Sequence, residues 1–292
     1  MLSAHRAAVL GSSIAHSPSP ALHRAAYRAL GLDNWSYAAQ EVTADRLPGL
    51  LAGTGPEWAG LSLTLPLQEV ALAAAEQASD LARRVGAANT LVRLPEGGWR
   101  AENTDVYGVT AALREAGLVA AEQAVVVGSG ATARAVMAAL ADLGCQRVTF
   151  VSRGPACPQA LELAAALGLQ ARVCRPEAAA GPLAEAAVVV STTPTGADLP
   201  LAVPRMWTVP PIVLDVDYAA WPTGFARAFR RRGAEVVWGF EVLLHQAAAQ
   251  VLLMTGLPAP VEAMRTAGLD AMSEALTRQQ ESGAAVAEPA RR

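Results

Sequence analysis

In Ala124-Val125-Val126-Val127-Gly128-Ser129-Gly130-Ala131-Thr132-Ala133, a short apolar run leads into two glycines one residue apart and a small residue three positions later. A run of consecutive apolar, mostly β-branched residues is how a strand buried on both faces reads, and Arg134 to Leu143 continues as an Ala-rich helix. Each small residue has a steric task in such a strand, turn and helix. Gly128 permits the tight turn, Gly130 lets the backbone approach a pyrophosphate, and Ala133 lets the helix pack closely. Free N–H groups where the helix starts, at Ser129 to Ala131, favour phosphate there. A second apolar strand, Arg147 to Val151, follows at the distance of a βαβ unit and ends in Ser152-Arg153-Gly154. A carboxylate at that point would hold the ribose hydroxyls of NAD. Arginine pairs instead with a 2′-phosphate, so Ser152 and Arg153 point to NADP(H).

Short strands alternating with Ala-rich helices extend in both directions, the pattern of α/β architecture. Downstream, Ala187 to Val190, Ile212 to Val216 and Glu235 to Trp238 read as strands, and a final helix covers about Phe240 to Thr255. Upstream, the strand Arg6 to Leu10 runs into Gly11-Ser12-Ser13, then His16-Ser17-Pro18-Ser19-Pro20, then a helix from about Ala21 to Leu30. Leu61 to Leu65 alternates as a half-buried strand does, Pro66 closes it, and one Ala/Glu-rich helix is expected up to about Val85. The turn Gly86-Ala87-Ala88-Asn89-Thr90 leads to a strand at Leu91 to Leu94, and a Gly-rich hairpin at Glu96-Gly97-Gly98 precedes Asn103-Thr104-Asp105. The expected organisation is two α/β domains. Residues 1–106 plus 240–279 form a substrate-binding domain, 107–239 a Rossmann-type NADP-binding domain, and 280–292 a loose polar tail.

With 292 residues, 52% of them hydrophobic, and a net charge of −3, the chain has ample core and no basic excess for nucleic acid. No stretch reaches the ~18 consecutive apolar residues of a membrane span, so neither membrane nor nucleic acid is an expected partner. Cys145, Cys157 and Cys174 are too few and too irregularly spaced for a disulfide framework or a zinc site, and no metal is expected. With no signal pattern at the start, the expected location is the cytoplasm. All 23 basic residues are arginine. Chemistry that needs a lysine, as a Schiff base, a P-loop cation or an ammonium acid, is therefore excluded from this chain.

Ser17 and Ser19 put two hydroxyls beyond a strand's carboxyl end, braced by prolines, and Thr64, Asn89 and Asp105 each close a strand or turn with a polar group. In this order, with Gly11 to Pro20, Leu63-Thr64-Leu65-Pro66, Gly86 to Thr90, Asn103-Thr104-Asp105, the Gly128 loop, Ser191-Thr192-Thr193-Pro194, Asp215-Val216-Asp217-Tyr218 and a last helix carrying Gln246, the chain resembles the shikimate dehydrogenases over about residues 7–270. The resemblance implies NADPH-dependent reduction of 3-dehydroshikimate to shikimate. It implies that Ser17 and Ser19 hold the substrate carboxylate, that Thr64, Asn89, Asp105 and Gln246 bind ring hydroxyls, and that Tyr218 faces the substrate. The nicotinamide would lie between the domains near Thr192 and Gly239. Monomer and homodimer are both compatible with the family.

One departure matters chemically. Two residues after the Thr-x-Pro proline the family carries a lysine paired with the aspartate, and here that position is Gln68. Glutamine can donate a hydrogen bond but cannot titrate. Asp105 and Gln68 are therefore the catalytic pair to be expected, Asp105 alone exchanging a proton, with its pKa above that of a lysine-paired carboxylate. His16 and His245 are the other titratable candidates. His245 precedes Gln246 on a helix and so faces about 100° away from it. Retained activity on shikimate, quinate or an amino analogue is expected, beside two alternatives. One is a weakened paralogue that binds NADP and a shikimate-like acid without efficient turnover; the other is an NADP oxidoreductase with an unrelated substrate.

Overall fold

The computed structural model describes residues 4–12, 14, 16–194, 196–197, 199–219 and 221–286. The expected motif positions Ser13 and Ala15, and the 287–292 part of the expected tail, lie outside them.

The first half holds β1 (His5–Gly11), α1 (Ser19–Ala29), β2 (Trp35–Glu41), α2 (Leu47–Ala52), β3 (Trp58–Leu63), α3 (Gln68–Ala74), β4 (Gln77–Ala78), α4 (Asp80–Val85), β5 (Thr90–Arg93) and β6 (Trp99–Glu102). Its six strands run in the order β2-β1-β3-β5-β6-β4, parallel where β1 meets β2 and β3, antiparallel where β5 meets β3 and β6. Alternation along β1 sends Ala8 and Leu10 into one core with Leu61, Leu91 and Trp99, and Ala7 and Val9 into another with Tyr27 and Tyr37.

A connecting helix, α5 (Asp105–Glu115), leads to the second half: β7 (Gln123–Val127), α6 (Ala131–Asp142), β8 (Arg147–Val151), α7 (Pro158–Ala166), β9 (Gln170–Cys174), α8 (Ala180–Glu185), β10 (Val188–Ser191), β11 (Ile212–Asp215), α9 (Gly224–Arg230) and β12 (Glu235–Trp238). All six strands are parallel, in the order β12-β11-β10-β7-β8-β9. This is the dinucleotide-binding order, and it reverses direction between β7 and β10, where the carboxyl ends of the strands open a ligand crevice. Val125 and Val127 face one core and Ala124 and Val126 the other, which is why β7 reads as unbroken apolar sequence. Helix α10 (Gly239–Thr255) then returns to the first sheet, where Met254 packs with Val9 and Tyr37, and α11 (Val261–Val286) packs on α1.

Two expectations need correction. The single helix up to Val85 is broken: Gln77–Ala78 pairs with Arg100–Ala101 of β6, and Ser79 Oγ accepts from Ala82 N at 3.2 Å, capping α4 afresh. A strand pairing and a side-chain cap outcompete helical continuation there. The tail expected from residue 280 begins inside α11, which runs to Val286 because no proline interrupts 261–288. Strand β2, which carries Tyr37, escaped the sequence reading because only Tyr37 of its seven residues is buried.

Arg134 on α6 ties the halves together. It is 3% exposed; its Nε donates to Val85 O at 2.8 Å, and its Nη2 donates to Gly86 O at 3.3 Å and to Glu69 Oε1 at 2.6 Å. A second tie joins α5, α10 and α11, where Arg265 pairs with Glu241 and Glu115, and His245 Nε2 lies 3.1 Å from Glu115 Oε2. Replacing Arg134 by Met keeps the packing of the stem but strips two carbonyls of their donor, an expected loss of about 2 kcal/mol in chemical denaturation. An unchanged midpoint would show that the tie contributes no stability.

Candidate active site

Asp105 opens α5 and is the first residue of the connection between the two sheets. Its Oδ1 accepts from Asn89 Nδ2 at 2.7 Å and its Oδ2 from Gln68 Nε2 at 3.3 Å. Gln68 is held by its position as the first residue of α3 and by its carbonyl, which accepts from Ala88 N at 2.9 Å. Gln246 completes the group: its Nε2 is spent on Leu243 O at 3.1 Å, which turns Oε1 towards Asn89 Nδ2 at 3.3 Å. Four of the expected residues thus form one hydrogen-bonded cluster drawn from α3, the turn before β5, α5 and α10.

Withdrawal from water pushes the Asp105 carboxyl up to about 6, and the hydrogen bonds from Asn89 and Gln68 only partly oppose that rise. Among the described residues no cation appears beside it. Neither candidate histidine enters the cluster: His16 is exposed, and His245 is buried against Glu115. The site therefore holds a carboxyl group that changes protonation near neutrality, ringed by amides that do not.

Ser17, Ser19, Thr64 and Tyr218 make no hydrogen bond to that cluster. Ser17 Oγ accepts from Ser19 N at 3.3 Å, and Ser19 is buried at the start of α1. The Ser17 loop reaches the Thr64 loop directly, since Ser12 N donates to Leu65 O at 3.3 Å. Tyr218 packs beside Leu22, Phe240 and Leu244, so the loop after β11 leans on α1 and α10.

At the other end, Gly128 sits at φ +100°, and a Cβ on it would lie 2.5 Å from Thr192 Oγ1. Thr192 Oγ1 in turn donates to Val127 O at 2.9 Å, which locks the loops after β7 and β10 across the crevice. Space beside Gly130 is open, and α6 begins with no side-chain cap, so Ser129 to Ala131 leave a cradle of backbone donors that fits a pyrophosphate. Ser129 Oγ accepts from Cys157 N at 3.0 Å, joining this loop to the one after β8. In that loop Ser152 Oγ donates to Gly154 O, and the exposed Arg153 guanidinium has no partner among the described residues. Gly239 is buried, and a Cβ there would meet Val216 O at 2.3 Å, so its missing side chain lets α10 start against β11.

Sequence reasoning missed Arg175. It follows β9 as Arg153 follows β8, and its Nη1 donates to Arg153 O at 2.8 Å, bringing a second exposed guanidinium to the same corner. A basic residue just past the third strand of a βαβαβ unit was the available signal. Thr90, Thr104 and Gln250, buried around Asn89, were also missed.

Residues 9–91 match the shikimate dehydrogenase substrate binding domain, and residues 239–267 match the shikimate 5′-dehydrogenase C-terminal domain. The chain is 36% identical over 276 residues to shikimate dehydrogenase (NADP(+)) of Thermosynechococcus vestitus, covering 89% of this chain and 93% of that one. Among solved structures, a shikimate 5-dehydrogenase from Mycobacterium fortuitum superposes with a TM-score of 0.80 at 49% identity, covering 91% of this chain and 98% of the other. The shikimate 5-dehydrogenase of Thermus thermophilus, solved in complex with NADP(H) and shikimate, gives 0.79 at 34% identity, covering 91% and 99%. Likeness that runs through both sheets and the returning helix, at this identity, leaves one assignment: the chain belongs to the shikimate dehydrogenase family.

Proposed function

We propose that this protein is an NADP-dependent oxidoreductase that interconverts 3-dehydroshikimate and shikimate, with Asp105 as the single side chain that exchanges the proton. The observation that carries the reading is the Asp105 cluster: one carboxyl raised to about 6, held by Asn89 and Gln68, in a chain of this family. NADP(H), when bound, supplies the hydride for reduction or takes it up in oxidation. The Asp105 carboxylate takes the hydroxyl proton in oxidation, and its carboxylic acid returns that proton to the carbonyl oxygen in reduction. Gln68 orients the carboxyl group and offers an amide to the reacting oxygen, without a charge of its own.

In this reading Ser17 and Ser19 bind the substrate carboxylate, Thr64, Asn89 and Gln246 bind ring hydroxyls, and Tyr218 borders the ring. The first sheet and α10 serve the substrate, and the second sheet serves the cofactor. Gly128, Ser129, Gly130 and Ala131 cradle the pyrophosphate, while Thr192 and Gly239 border the nicotinamide side of the crevice. Arg153 and Arg175 are the two cations that the 2′-phosphate meets, with Ser152 bracing the turn. Three free cysteines support a reducing, cytoplasmic setting. Among the described residues no helix is long and apolar enough to cross a membrane.

Oxidation needs ionised Asp105, so kcat/KM for shikimate is expected to rise with pH through about 6 and then level, and reduction of 3-dehydroshikimate to fall above the same midpoint. Asp105→Asn should lower both rates by ~10²–10⁴-fold, the usual loss for a general acid–base group. Gln68→Lys places an ammonium beside the carboxylate and is expected to raise turnover and move the midpoint below 6. Binding of NADPH and shikimate by calorimetry without turnover of shikimate, quinate or their amino analogues would sink the proposal. For the cofactor, Arg153→Ala and Arg175→Ala should each raise KM for NADPH by about tenfold and leave NADH unchanged, each guanidinium contributing a charge-assisted hydrogen bond. Equal losses with both cofactors would remove the 2′-phosphate role.

A further inference from the structure

A buried chain of hydrogen bonds runs from the far side of the first sheet to Asp105. Tyr37 Oη on β2 donates to Ser62 Oγ on β3 at 2.6 Å, and Ser62 Oγ donates to Gln250 Oε1 on α10 at 2.8 Å. Gln250 Nε2 donates to Thr90 Oγ1 at 3.0 Å, Thr90 Oγ1 donates to Asn89 Oδ1 at 2.9 Å, and Asn89 Nδ2 donates to Asp105 Oδ1 at 2.7 Å. Tyr37, Ser62, Gln250, Thr90 and Asn89 are each at most 4% exposed, so none can exchange its partner for water.

All five bonds point the same way, and two backbone groups set the direction, Thr104 N–H and the Asn89 carbonyl. Thr104 N can only donate, and it does so to Asn89 Oδ1 at 2.7 Å, which turns Asn89 Nδ2 onto Asp105. Thr90 then faces, at 2.9 Å, an oxygen that only accepts, and donates to it, with the Thr104 hydroxyl at 3.1 Å as its other neighbour; the Gln250 group beside Thr90 is the NH₂, which also donates to Asn89 O at 3.4 Å. Gln250 Oε1 is thereby turned to Ser62, which must donate in its turn and accept from Tyr37. The phenol can meet that demand at any ordinary pH, because burial pushes Tyr37 well above its usual range. The ring stacked on it, His23 at 3.9 Å, is held at about 4 by burial and is neutral near pH 7.

We infer that Tyr37, Ser62, Gln250 and Thr90 are positioning residues for the reaction, whose aligned donors fix the Asn89 amide on Asp105 and strengthen its grip on the ionised carboxylate. The inference rests on the proposed role of Asp105. Successive donors polarise one another in a low-dielectric interior, so the last N–H of an aligned chain is a stronger donor than an isolated amide. The chain does not carry the proton, because Gln250 and Asn89 interrupt it with amides. Nor do charges from neighbouring elements do its work. Glu69 on α3 is engaged by Arg134, Glu241 on α10 by Arg265, and His245 on α10 lies against Glu115 of α5.

Thr90→Val keeps shape and removes the hydroxyl; Thr90→Ser keeps the hydroxyl; Tyr37→Phe deletes the remote end. The carboxyl ¹³C signal of Asp105, assigned by its loss in Asp105→Asn, reports titration whether or not the protein turns over. Thr90→Val is expected to raise the proton affinity of Asp105 by about threefold to tenfold, since it weakens a hydrogen bond to the charged form. Shikimate kcat at pH 6 should fall with it while KM for NADP stays unchanged, and Thr90→Ser should restore both. Tyr37→Phe should act in the same sense by about twofold, and should add nothing in the Thr90→Val background, because coupled residues are not additive. Ser62→Ala replaces Tyr37→Phe in this cycle if the latter does not fold. Titration unmoved in Thr90→Val, or full additivity in the double variant, overturns the inference. A wild-type protein that fails to oxidise shikimate overturns the functional reading instead, and the titrations still decide the chain.

Discussion

The hydrogen bond from Asn89 Nδ2 to Asp105 Oδ1, 2.7 Å long, is the contact on which the rest of the site is built. Asn89 stands where the turn after α4 enters β5, and Asp105 stands where β6 gives way to α5, so the bond pins the start of the helix that leads to the second sheet. Gln246 and Gln250, brought back by α10 from the opposite end of the chain, close around Asn89, the first at its side-chain amide and the second at its backbone carbonyl. The place that joins the halves covalently is thus also the place where the titratable group sits. The first turn of α5 adds the favourable end of a helix dipole to the ionised form of Asp105. Burial works against that form more strongly, and the balance is a carboxyl near 6.

A chain with no lysine cannot settle this carboxylate with an ammonium, and position 68 does not carry arginine in its stead. On the surface, arginine in place of lysine keeps a solvated cation. At position 68 a neutral amide does not. The neutral ring around Asp105 is consistent with that substitution: hydrogen bonds from amides stabilise the ionised form less than an ion pair would, and the proton is held more tightly in return. Two arginines instead join structural elements. Arg134 binds α6 to α3 and α4, and Arg265 binds α10 and α11 to α5.

Much of the architecture was legible because it is written in short-range rules. The Gly128 turn reads as glycine because φ +100° and the nearness of Thr192 admit no side chain, and β7 reads as unbroken apolar sequence because both its faces are covered. The break at residues 75–79 was not legible, since Ala-rich sequence favours helix locally and only pairing of Gln77–Ala78 with β6 overrules it. Strand β2 was hidden for a similar reason, with six of its seven residues at least partly exposed. Residues of the site whose types are unusual in their context, Asp105, Asn89 and Gln68, stood out. Thr90, Ser62 and Gln250 did not, because a hydroxyl in a strand or an amide in a helix is ordinary until its partner is known.

By itself, the sequence determined the two α/β halves, the Gly128 turn, the arginine after the next strand, the family, and the absence of any lysine, including at position 68. Those properties depend on residue type and on neighbours a few positions away. The tertiary structure alone decided that Asn89 and Gln68 both turn their amide donors onto Asp105 while Gln246 turns its oxygen to Asn89, and that Tyr37 and Ser62 belong to the same chain of bonds. Ser62 and Gln250 are 188 positions apart, and Gln250 and Thr90 are 160 apart. The direction of the bonds follows from the backbone N–H of Thr104 and the backbone carbonyl of Asn89, ordinary main-chain groups that only the fold can aim.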